Sequence, residues 1–261
     1  MTEGRCVLEF DLTTFLVVLP LVFVAGFIDA IAGGGGLISL PAYLIAGLPP
    51  HFAIGTNKLS SCMGTALATF RFAKSGFINW KIAGVCAIAA LFSSTLGARL
   101  LLSIDEKIIR YVLLIILPLT AYYVFKSKNL SPIGAPRGSL EMYVIAILSS
   151  IVIGIYDGFY GPGTGTFLLL ILTGVAHMKL TEANGITKVI NLSTNVAALA
   201  VLLLHGKVLI VLGVTAGLFN MLGNWLGASS FASGGSKIVR PLIIFVLALF
   251  MIKIVTEIVN A

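Results

Sequence analysis

Along this chain, long apolar runs are interrupted only by short clusters of Gly, Pro or charged residues, and no stretch alternates apolar with polar as a half-buried strand does. Runs that are apolar all round predict helices within a membrane, where the backbone must satisfy its own hydrogen bonds. Ten segments follow, at about 13–32, 35–48, 52–73, 79–102, 107–126, 140–159, 162–177, 181–204, 207–230 and 236–258. The second and seventh are short, 14 and 16 residues. At ~1.5 Å per residue they cannot cross a hydrocarbon core of ~30 Å. They are expected to be half-helices whose N-termini point toward the middle of the bilayer.

Composition sharpens this picture. Of 261 residues, 58% are hydrophobic and 10% charged, with a mean hydropathy of +1.07. Soluble domains carry about 25% charged residues. A soluble enzyme, a secreted disulfide scaffold and a disordered tail are excluded, leaving one all-α polytopic membrane domain over 1–261. The 17 Lys and Arg against 10 Asp and Glu are scattered singly, so the basic excess marks loops at a membrane face and not nucleic-acid binding. Arg71, Lys74 and Lys81 lie two crossings from the central link with Lys126, Lys128 and Arg137. Both fall on one side, assigned to the cytoplasm, as do Lys237 and Arg240. Both termini are then outside; against this orientation, Arg99, Lys107 and Arg110 also fall outside, only partly offset by Asp105 and Glu106. Around the lone Arg5 stand Glu3, Glu9 and Asp11, and the apolar run that follows is too long for a cleaved signal. Cys6, Cys62 and Cys86 have no metal-ligand spacing and are expected to pack as small apolar residues.

The chain also resembles itself. Lys58, Gly76, Gly97, Lys107 and Arg110 recur 130 positions later as Lys188, Gly206, Gly227, Lys237 and Arg240. Gly26 and Asp29 recur 128 positions later as Gly154 and Asp157. Two five-segment repeats, 13–126 and 140–258, are expected. A second copy of an odd-membered unit enters the membrane upside down, an arrangement of secondary transporters whose site lies between the repeats. Ala83 and Ala87 correspond to Gly213 and Gly217, and Ser93 and Gly97 to Gly223 and Gly227, small-residue pairs that let helix backbones approach.

Three constellations can carry chemistry. Gly33, Gly34, Gly35 and Gly36, with Gly161, Gly163 and Gly165 around Pro162, break the helices before the short segments. A helix N-terminus at such a break offers free N–H groups to an anion. Turns without a ligand explain the same glycines; a dinucleotide loop does not, because no strand precedes them. Asn57 and Lys58, and their counterparts Thr187 and Lys188, are joined by Ser60, Ser61, Thr65, Thr69, Asn191, Ser193, Thr194 and Asn195. These residues can replace an anion's water; the alternatives are interhelical hydrogen bonds and, for the lysines, snorkelling to the interface. Asp29 and Asp157 are carboxylates in apolar helices, fit either to carry a coupling proton or to cap the turns and pair with a lysine. His51, His177 and His205 sit at segment ends, where interfacial loop roles are expected. No nucleophile with an acid and a base appears, so no enzyme, metal or cofactor is expected.

The sequences GFIDAIAGGGGLISLPAYLIAGLPPHFAIGTNK and GIYDGFYGPGTGTFLLL resemble the TauE/SafE family of sulfite and organosulfonate transporters. The likeness extends over essentially the whole chain. It implies a protein of the bacterial or archaeal cytoplasmic membrane that moves small sulfur-containing anions such as sulfite, sulfoacetate or other sulfonates, often outward. Alternating access with a proton as coupling ion is the expected mechanism and a homodimer the expected assembly; a passive anion channel is the alternative. Because the second half reads GITK where the first reads GTNK, the two halves cannot meet a substrate identically.

Overall fold

In the computed structural model, which describes residues 12–126 and 138–231, every element is a helix. In order they are α1 (Leu12–Ala32), α2 (Gly36–Ile45), α3 (Pro50–Lys74), α4 (Trp80–Leu102), α5 (Glu106–Lys126), α6 (Ser139–Phe159), α7 (Thr164–Gly174), α8 (Leu180–Leu204) and α9 (Ile210–Phe231). Cys6, the link with Lys128 and Arg137, and the tenth expected segment with Lys237 and Arg240 lie outside the described residues.

Helices α1, α4, α6, α8 and α9 are long and apolar enough to cross a membrane. Their outer faces carry large apolar side chains, among them Phe92 at 73% exposure, Leu148 at 57% and Leu218 at 54%. Such a surface is stable only against lipid. The short segments are shorter than expected, 10 residues for α2 and 11 for α7. Each spans about 15 Å, half of a hydrocarbon core. The difference is in the turns that follow: Leu48 N–H returns to Tyr43 O at 3.2 Å and Met178 N–H to Leu172 O at 2.9 Å.

Helices α3 and α8, 25 residues each, end in the same way. Gly76 and Gly206 take φ of +71° and +65°, and the next N–H, Phe77 or Lys207, bonds back to Phe72 O or Leu202 O. This turn needs a left-handed residue after the helix, which glycine adopts without strain. The turn after α3 lies against the start of α8, where a Cβ on Gly185 would meet the Phe77 carbonyl. The turn after α8 lies against the start of α3, where Leu209 N–H donates to Thr56 Oγ1 at 3.1 Å. Helices α3 and α8 therefore run antiparallel at the centre.

Around them the small residues do the packing that their spacing suggests. On α4, Gly97 fits against the Ile155 carbonyl of α6; on α9, Gly223 and Gly227 fit against the Phe23 and Phe27 carbonyls of α1. Matching positions advance together, so α4 and α6 are parallel, as are α1 and α9. Cys86 is fully buried in the apolar cluster around α4, the packing role expected of it. His51 departs from the interfacial loop expected of it. It is 5% exposed, with Nδ1 3.1 Å from Glu106 Oε1 and Nε2 3.1 Å from Leu101 O. It ties the start of α3 to the α4–α5 corner, because a buried imidazole must find partners for both nitrogens.

Candidate functional site: a polar cavity between crossed ion pairs

The two helix breaks meet. A Cβ on Gly165 would lie 2.6 Å from Gly33 Cα, and one on Gly36 2.9 Å from Pro162 Cα. Only residues without a side chain allow this approach of backbone to backbone at the depth of the half-helix starts. Among the described residues, no backbone acceptor takes the N–H groups of Gly35, Gly36, Gly165 or Thr166. The starts of α2 and α7 thus bring orphan donors and positive dipole ends to one place.

Beside the meeting point lies a cavity of about 40 Å³. Its walls include Gly33, Gly35 and Gly36 from the first break, Gly161 and Gly165 from the second, and Asn57, Lys58, Asn191 and Asn195 from α3 and α8. Asp29 and Asp157 also line it. Of the residues singled out in the sequence, Gly34, Gly163, Thr187 and Lys188 do not, nor do Ser60, Thr69, Ser193 and Thr194. Gly34 is buried beneath the α2 turn, its carbonyl accepting Leu37 N–H at 3.1 Å. Gly163 faces Thr120 of α5. Thr187 is fully buried with no partner for its hydroxyl, and Lys188 lies behind Asp29.

Neither lysine snorkels: Lys58 is 2% exposed and Lys188 fully buried, each eight residues into its helix. Their charges are answered across the molecule. Lys58 Nζ of α3 donates to Asp157 Oδ2 of α6 at 2.8 Å and to Asn195 Oδ1 at 3.2 Å. Lys188 Nζ of α8 donates to Asp29 Oδ2 of α1 at 3.1 Å and to the Asp29 carbonyl oxygen. Each lysine thus pairs with the aspartate of the other half of the chain. Asp157 Oδ1 also accepts the Thr164 hydroxyl at 2.7 Å, so this carboxylate both pairs with a lysine and holds the start of α7. The four charges sum to zero, and one partner alone would leave a buried charge unanswered at about 3–5 kcal/mol.

The cavity has a wall that the sequence reading missed. Asn220 of α9, 4% exposed, lines it together with Ser39 of α2. Asn220 Oδ1 accepts from Asn224 Nδ2 at 2.8 Å and fills the notch at Gly64 of α3; its Nδ2 holds Val22 O of α1 at 3.4 Å. An amide inside an apolar membrane helix is itself a signal. It went unused because the position 130 residues earlier is Ala90.

Lipid-facing helices around a buried, charge-balanced polar cavity define a membrane transporter, and comparison with known proteins says of which kind. The sulfite exporter TauE/SafE family matches residues 18–254, and the chain belongs to that family. It is similar to a probable membrane transporter protein, ORF9, of Sinorhizobium sp., 35% identical over 96% of this chain and 95% of that one. A probable membrane transporter protein of Haemophilus influenzae is 36% identical, over 90% and 92% of the two chains. The probable membrane transporter protein YfcA of Escherichia coli K12 is 30% identical, over 89% and 86%. No solved structure matches.

Proposed function

We propose that this protein is a secondary transporter that carries a compact sulfur oxyanion of the sulfite type out of the cell, binding it in the cavity between the two helix breaks. The observation that carries the reading is the pair of crossed lysine–aspartate bridges flanking a cavity lined by N–H donors and amides. Two repeats of opposite orientation, 13–126 and 140–258, are the architecture that fits it. The antiparallel course of α3 and α8 and the exchange of partners between the halves support that assignment. The repeats then move against each other about the cavity to expose it to each side in turn.

Size favours a compact ion. A buried water needs roughly 10–15 Å³ of free space for its centre, so a cavity of about 40 Å³ holds about three waters. A sulfur with three oxygens is of that order, whereas a sulfonate with a carbon chain demands a wider conformation. The donors suit such an ion: free N–H groups at Gly35, Gly36 and Gly165, the amides of Asn57, Asn191 and Asn220, and Lys58.

Charge balance supplies the coupling. With both lysines answered, an incoming anion leaves the site net negative unless a cation or proton enters with it. The substrate and Asp157 compete for Lys58, and a buried carboxylate deprived of its lysine beside an anion binds a proton. For a singly charged ion such as hydrogensulfite, one proton travelling with each anion follows. A passive anion channel is the weaker reading, because a standing anion path uses cationic side chains facing the pore and here both are bound to carboxylates. Uptake of labelled sulfite, sulfate and a sulfonate into proteoliposomes, with and without a pH gradient, tests the proposal. Sulfite flux that rises with the gradient supports it; flux of none of these ions overturns it.

A further inference from the structure

Among the described residues, six buried side-chain nitrogen and oxygen atoms have no hydrogen-bond partner, and four of them lie on one helix. They are both amide atoms of Asn184, Thr187 Oγ1 and Asn191 Oδ1, all on α8. Asn184 and Thr187 are fully buried and Asn191 is 6% exposed. With 3.6 residues per turn, positions 184, 187, 191 and 195 share one face of a helix. Asn191 and Asn195 line the cavity, so the face continues from the cavity past Thr187 to Asn184, about 10 Å nearer the start of α8. On α3 the positions 130 residues earlier are Ile54, Asn57, Ser61 and Thr65. Ile54 is apolar and 1% exposed, and none of the other three has an unsatisfied buried atom.

Buried polar atoms without partners are rare in folded proteins and call for a reason. A row of them on one face, leading from a cavity toward one membrane surface, has a reason if the face is wet in another conformation. We infer that Asn184 and Thr187 line the passage by which the oxyanion moves between the cavity and the membrane surface at the start of α8. This inference rests on the transporter reading above. The passage is shut here, since Asn184 and Thr187 are fully buried; on a neighbouring face of α8 the turn after α3 holds the helix start, its Phe77 carbonyl against Gly185 and its Asn79 Nδ2 donating to Glu182 Oε1 at 3.0 Å. When the elements packed on this face move away from α8, the amide of Asn184 and the hydroxyl of Thr187 exchange hydrogen bonds with the passing anion and its water. The matching face of α3, closed by Ile54, offers no such row, so the two ends of the route are unlike.

The test places single cysteines at Asn184, Thr187 and, as reference, Ile54, in full-length protein whose own cysteines are replaced by alanine. In proteoliposomes, reaction with a water-soluble, membrane-impermeant methanethiosulfonate reagent is followed by mass spectrometry. N184C and T187C should react at least tenfold faster than I54C. Equal or slower reaction overturns the passage. The labelling is read without substrate, so it stands apart from the transport reading, which fails separately if the wild-type protein moves no sulfite. A second variant keeps the test decisive where a cysteine disturbs folding. Asn184→Leu has nearly the same shape and removes the unsatisfied amide, and it should melt no lower than wild type while labelled-sulfite flux falls at least tenfold. Unchanged flux with a raised melting temperature makes Asn184 a packing defect and overturns the inference.

Discussion

Lys58 on α3 and Asp157 on α6 form a 2.8 Å ion pair with side chains 2% and 6% exposed, joining two residues 99 positions apart. Removing one partner strands the other's charge in a buried site. Lys58→Ala or Asp157→Ala should therefore destabilise by about 3–5 kcal/mol, whereas the double variant should lose clearly less than the two single losses combined. Thermal unfolding in one detergent, read for all four proteins, checks this. Additive losses would mean that the pair is not coupled.

The meeting of the helix breaks predicts a second asymmetry. Gly33 has φ of +70° and no room for a Cβ beside Gly165, whereas a Cβ on Gly84 has nothing within 4 Å. Gly33→Ala should cost about 1–3 kcal/mol through overlap and backbone strain. Gly84→Ala should be neutral or slightly stabilising through helix propensity. Melting temperatures of both variants decide, and a Gly33→Ala protein as stable as wild type would contradict the close approach.

Asn220 tests the unexpected wall of the cavity. A hydrogen bond to a charged ligand is worth about 1.5–3 kcal/mol, so Asn220→Ala should weaken sulfite binding about 10- to 100-fold. Binding is read by calorimetry on purified protein. Ala90→Asn, at the matching position of the other half, should not restore it, because α4 contributes no residue to the cavity wall. Wild-type affinity in Asn220→Ala would place the anion elsewhere.

His51 holds the start of α3 to the α4–α5 corner through Leu101 O and Glu106. His51→Ala leaves those acceptors unanswered and should destabilise by about 1–3 kcal/mol. Glu106→Gln should lose less than about 1 kcal/mol, since that side chain is 41% exposed and its contact with the imidazole is open to water. Denaturation of the two variants separates a buried anchor from a surface contact. Equal losses would deny the anchor.

Much of this organisation was legible in the sequence because it rests on pattern. All-round apolarity announced the lipid-facing helices, the small-residue spacing of Gly97, Gly223 and Gly227 announced where backbones meet, and the glycine clusters announced the breaks. The spacing of Lys58 from Lys188, and of Asp29 from Asp157, marked all four charges of the site. What pattern could not give was the partner choice. That each lysine crosses to the aspartate of the other half depends on α3 and α8 lying side by side and antiparallel, a tertiary relation without a local trace. Asn220 was hidden for a related reason: a comparison of the two halves finds what they share, and Ala90 shares nothing with it. His51 was misplaced because a segment end in sequence is not a surface in the fold.

The account stands on anion and proton sharing one site, and carboxylate variants test this most directly. Asp29→Asn and Asp157→Asn each remove a titratable group while keeping the shape of the side chain. The measurement is the response of labelled-sulfite flux in proteoliposomes to an imposed pH gradient, with protein-free vesicles as baseline. The wild-type protein should show gradient-driven flux, and at least one variant should bind sulfite yet lose the response. If both variants keep wild-type pH-driven flux, the carboxylates only hold the lysines and helix starts in place, and coupling through the crossed pairs is wrong.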